Sequence, residues 1–151
     1  MNANNIKSKY NGLQSKFLKS SDVMDCLGRY GCLFFSLCSI AEEYNESHHN
    51  RFRVDIVADF IVCRSKGWIG SNSYIKDSVA ILNYLTGAKW SREIKNILNT
   101  VPDNMYTVEH WHNDKTGFDH FRRRWGDTLE YSNTVKNGKL INYYCYIVKE
   151  N

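Results

Sequence analysis

The chain has 151 residues, of which 42% are apolar and 14% aromatic. That is one domain's length with enough apolar surface for a core without staples, which excludes a disordered chain. A single proline, Pro102, excludes a Pro-rich linker, and a formal charge of +4 permits attraction to nucleic acid without requiring it.

The first ten residues lack the apolar run of a signal peptide, and nothing approaches the ~20 apolar residues of a membrane span. Cys26, Cys32, Cys38, Cys63 and Cys145 are odd in number. The first three fall six apart, which matches no zinc motif. We expect a cytoplasmic protein with free, mostly buried thiols and no metal or cofactor.

Along the chain, a polar arm is expected to lead into a short helix around Leu13 to Lys19. From Gly31 to Glu46, Leu33, Leu37, Ile40, Ala41 and Tyr44 recur at helical spacing, and Phe34, Phe35 and Cys38 make the first turns apolar all round. Such a helix is buried at its N-terminal end. A third helix is predicted from Val54 to Arg64 with a stop at Lys66-Gly67, although its β-branched residues also suit a strand. Asp77 caps a helix from Ser78 to Thr86 that stops at Gly87, and Ser91 is predicted to cap another ending near Asn99.

Beyond residue 104 the period becomes two. Tyr106 to His112, Phe118 to Trp125 and Leu140 to Val148 read as strands. Helices first and an antiparallel sheet after them make one α+β domain spanning residues 1–151.

Two local features carry chemistry. In Arg29-Tyr30-Gly31-Cys32-Leu33, a cysteine stands in the first turn of a buried helix. There the unpaired N–H groups and the helix dipole stabilise a thiolate, the nucleophilic form of the side chain. In Thr116-Gly117-Phe118-Asp119-His120-Phe121, a histidine stands near the start of a strand, and histidine is the usual base for a thiol. Core packing for Cys32 and an edge role for His120 are the plainer alternatives.

Gly126-Asp127 reads as a two-residue hairpin turn. Pairing Trp125 with Thr128 sets Arg123 opposite Glu130 and His120 opposite Asn133, and opposed residues share a face at about 4.5–5.5 Å between Cβ atoms. Asn133 is then placed to hold the imidazole in one tautomer, as the third residue of a Cys-His-Asn site does. A one-residue slip leaves Glu130 and Asp127 open.

These pieces resemble the papain-like cysteine peptidases, in particular bacteriocin-processing peptidase domains and small relatives encoded by spirochaetes. The matching stretches are Tyr30-Gly31-Cys32 with Ser36-Leu37 and Ile40-Ala41-Glu42, Gly67-Trp68-Ile69 with Asp77 to Leu85, Thr116 to Phe121, and Ser132 to Leu140. The resemblance implies a papain-like fold, a Cys32 nucleophile, a His120 base, an orienting Asn or Asp, a peptide or protein substrate, and turnover through a thioester. Two positions depart from that pattern. Cys26 stands where the family places an oxyanion-binding Gln, and no Pro follows the His strand. They motivate the alternative of a papain-like binding module without turnover.

Two further readings compete. His110 and His112 share one face of a strand and, with His120 nearby, form a possible zinc set. Arg122-Arg123-Arg124-Trp125 has the charges and rings that single-stranded nucleic acid favours, but a strand cannot present three successive arginines on one face.

Overall fold

The computed structural model describes residues 10, 14, 31–70, 73–123 and 133–149. Helix α1 spans Cys32–Ser47, α2 Ile56–Ser65 and α3 Ser78–Thr86, all before the sheet. The strands are β1 Trp90–Asn96, β2 Tyr106–His112, β3 Asp119–Arg123 and β4 Lys139–Val148, with the short α4, Asn133–Lys136, between the last two. All pairings are antiparallel and the strand order is β1-β4-β2-β3. The architecture is α+β.

Helices α2 and α3 begin where an aspartate caps the first turn. Asp55 accepts from the Ala58 N–H at 3.1 Å, while the Asp59 carboxylate accepts from the Asp55 N–H at 2.9 Å. This reciprocal pair starts α2 and settles the segment as helix rather than strand. Asp77 does the same for α3, accepting from Ala80 N–H at 2.9 Å. Gly87 closes α3 in the left-handed region at φ +72°, which a side chain resists.

Helix α1 is the core element. Phe34, Phe35, Leu37, Cys38, Ile40 and Ala41 are fully buried, as expected of a helix apolar all round in its first turns. One face of the sheet packs on it through Trp90, Val108 and Tyr146, together with Ile81, Leu82 and Leu85 of α3. The Trp90 indole N–H donates to Thr86 Oγ1 at 2.8 Å, which locks α3 to β1. On the opposite face Tyr143 and Cys145 pack with Val101 and Met105 of the β1–β2 connection.

Two expectations fail. Residues 91–99 do not form a helix capped by Ser91, because Trp90 to Asn96 pair with Val148 to Asn142 in a seven-residue ladder. Tertiary pairing overrides the helix-forming Arg, Glu and Lys of that stretch. The N-terminal segment is not a loose arm at Tyr10, which is 2% exposed and donates its hydroxyl to Glu42 Oε2 at 2.6 Å. The helix expected at Leu13 to Lys19 lies outside the described residues, apart from Gln14, which is buried.

Candidate functional site

Cys32 is the first residue of α1 and is buried, though less completely than Phe34 and Phe35 beyond it. Its N-cap is Gly31, and no side chain caps the first turn. Cys32, Ser36, Ser39 and Glu43 are spaced four, three and four residues apart, so they form one stripe along the helix. Ser39 and Glu43 meet Arg123 of β3 at 2.9 and 2.7 Å. The stripe that begins at Cys32 is therefore the side of α1 that faces β3.

The direction of the strands fixes which end of β3 lies nearest Cys32. Tyr106 opens β2 beside Trp90, and Trp90 packs edge-on against Tyr44 near the C-terminal end of α1. β2 thus starts at the C-terminal half of α1 and runs back along it. β3 is antiparallel to β2, so its first residues, Asp119 and His120, lie toward the N-terminal end of α1. Helix α4 packs on β2, β3 and β4 and leads into Lys139, which pairs with His112. His112 in turn pairs with Asp119. The start of α1, the start of β3 and α4 all gather at one end of the molecule.

Within that end the side chains sort by face. In the β2–β3 ladder Arg123 is opposite Val108 and His120 is opposite Trp111. Arg123 points to α1, and His120, three residues away, projects from the other face of the sheet. His120 is 3% exposed there. Asn133 opens α4 rather than standing on a strand opposite His120. The proposed turn at Gly126-Asp127, with Asp127 and Glu130, lies outside the described residues.

The structure builds a different imidazole cluster on the α1-facing side of β2 and β3. Asp119 Oδ1 lies 2.7 Å from His112 Nδ1 and 3.2 Å from His110 Nε2. The His110 ring stacks on Phe121 with centroids 4.5 Å apart, and its Nδ1 lies 3.2 Å from Asn142 Oδ1. His110 and His112 share a face as their alternation predicts, but their neighbour is Asp119 and not His120. The three imidazoles therefore do not converge as a zinc set, and among the described residues no group of three or more ligand side chains is disposed to hold a metal. Asp119 carried a signal only in retrospect, since its place opposite His112 depends on the β2–β3 register.

Burial holds three other thiols in the neutral form. Burial pushes the Cys38 thiol well above its ordinary range, and burial with Asp59 nearby pushes Cys63 up to about 12. Burial also raises Cys145, opposed by a contact with the Thr107 hydroxyl. Desolvation disfavours the charged thiolate in each case.

Arg122 and Arg123 are engaged within the chain. Arg122 Nε donates to Glu109 Oε1 at 2.9 Å with its guanidinium over Trp111, and Arg123 is buried against Glu43. Arg124 and Trp125 lie outside the described residues. No helix among the described residues is long and apolar enough to cross a membrane. Comparison with protein-family models, with curated proteins and with solved structures found no match to this chain.

Proposed function

We propose that the chain is a papain-like cysteine hydrolase of peptide or amide bonds. Cys32 is the nucleophile, His120 its base, and Asn133 (or Asp127 or Glu130) the residue that orients the imidazole. The observation that carries this reading is Cys32 itself. A thiol opens a buried 16-residue helix with no side-chain cap, on the stripe facing β3 and at the same end as His120. The N–H groups of that first turn are also donors for an oxyanion.

In this reading the imidazole takes the Cys32 proton and the thiolate attacks the substrate carbonyl. The tetrahedral intermediate collapses to a thioester as the imidazolium protonates the leaving amine, and water then hydrolyses the thioester. The substrate is a peptide or protein. The free thiols Cys32, Cys38, Cys63 and Cys145 support a reducing, cytoplasmic setting.

A second reading, a papain-like module that binds without turnover, is favoured by one observation. The ladder sets His120 on the sheet face opposite the one that Arg123 presents to α1. Together with Cys26 at the position of the family's Gln, this describes a fold kept for recognition. Engagement of Arg122 and Arg123 by carboxylates argues against single-stranded nucleic acid as the ligand.

The two readings separate on treatment of the native protein with iodoacetamide at neutral pH and mapping of the labelled cysteine. Hydrolase chemistry requires Cys32 to label ahead of Cys38, Cys63 and Cys145. Equal or slower labelling of Cys32 leaves the binding module.

A further inference from the structure

The edge of the sheet at β1 carries information that the site does not use. β1 is the terminal strand, and among the described residues it pairs only with β4. Arg92, Glu93, Ile94 and Asn96 are exposed along it, with Ile94 50% exposed and Leu98 89% exposed just beyond its end. A seven-residue strand whose outer side has no partner strand among the described residues is a template for another strand, and proteins blunt such edges with charged side chains, proline, bulges or a covering element. Here the charges are Arg92 on one face and the opposite pair Glu93 and Lys95 on the other. Glu93 and Lys95 lie two residues apart on one face, with Oε1 and Nζ at 3.2 Å.

That arrangement is self-complementary about Ile94. We propose that two copies of this chain pair antiparallel through β1, with Ile94 opposite Ile94 of the second copy on a twofold axis. In that register Glu93 faces Lys95 of the other copy and Lys95 faces its Glu93, so both cross-strand pairs are attractive. Arg92 faces Asn96, and the two exposed Ile94 side chains cover each other. The neighbouring registers are worse. Centring on Glu93 or on Lys95 opposes like charges, and a twofold axis between two residues would oppose side chains on opposite faces, which a regular antiparallel ladder does not allow. The interface is isologous, as twofold dimers require, and it joins two four-stranded sheets into one of eight strands.

The test uses the full chain in sedimentation velocity across the micromolar range. Wild type is expected to shift from monomer to dimer with concentration. Glu93→Lys, which places lysines opposite each other, is expected to stay monomeric, and Glu93→Lys with Lys95→Glu is expected to restore the dimer. Circular dichroism of each variant checks that it folds. Under mild oxidation Ile94→Cys is expected to give a disulfide-linked dimer, since directly opposed residues have the Cα separation a disulfide needs. Arg92→Cys, whose copies lie four residues apart in this register, is expected not to link. A chain that stays monomeric at every concentration overturns the proposal. So does a dimer insensitive to Glu93→Lys with no link through Ile94→Cys.

Discussion

Arg123 on β3 places Nη1 2.7 Å from Oε2 of Glu43 on α1, and both side chains are buried. The same nitrogen donates to Ser39 Oγ at 2.9 Å, and the guanidinium lies 5.7 Å from the Tyr106 ring centroid. This contact joins the helix that opens with Cys32 to the strand that carries His120.

Removing one member of that pair is the severe test of it. Arg123→Ala leaves the Glu43 carboxylate buried without its guanidinium and is expected to cost about 3–5 kcal/mol. Replacing both with apolar residues of similar volume, Arg123→Met with Glu43→Leu, is expected to cost much less, because no charge is then stranded. Urea unfolding of the two variants checks this. Equal loss in both would mean that the pair acts through packing alone.

Two glycines near the gathered end predict different costs. Gly117 has φ +74° with nothing within 4 Å of a built Cβ, so Gly117→Ala meets only the left-handed penalty of about 1–2 kcal/mol. At Gly138 a Cβ would run into the Thr134 carbonyl oxygen and lie 2.6 Å from the His112 carbonyl oxygen. Both are backbone atoms, and neither can swing away. Gly138→Ala is expected to separate α4 from β2 and to lower the urea midpoint more than Gly117→Ala does.

Stability is expected to fall on the alkaline side. Burial pushes Cys63 up to about 12 from 9.0 and Tyr146 up to about 12 from 10.0, and it raises Cys38 and Tyr10 as well. Between the unfolded and folded values the native state holds protons that the unfolded chain has released. Stability is therefore intact below about pH 9 and declines as pH rises toward about 12, by up to about 1.4 kcal/mol per pH unit for each such group. Urea midpoints at about pH 8 and about pH 11 measure the decline, and a flat profile contradicts it.

Helix α1 was legible from its apolar residues at helical spacing, and α2 and α3 because their ends are written locally. Asp55 and Asp77 accept from the first turns, and Gly67 and Gly87 adopt positive φ at the stops. β1 was not legible, since Ser91 to Lys95 look helical until β4, some fifty residues on, supplies a ladder. The position of Cys32 at the start of α1 could be read from a glycine and a cysteine opening an apolar helix. The side of the sheet that His120 occupies could not, because it depends on the β2–β3 register and the direction in which Arg123 points. The His110–Asp119–His112 cluster was hidden for the same reason: the alternation put the histidines on one face without naming what stands opposite.

The central claim concerns the reactivity of Cys32 and its dependence on His120. The most direct measurement is the rate of Cys32 alkylation as a function of pH in the native chain and in His120→Ala, with Cys63 and Cys145 as internal references. A cysteine hydrolase predicts that Cys32 reacts ahead of both references near neutral pH and that His120→Ala slows it toward them. A Cys32 rate equal to the references, or one unchanged by His120→Ala, contradicts the dyad and leaves a binding module in its place.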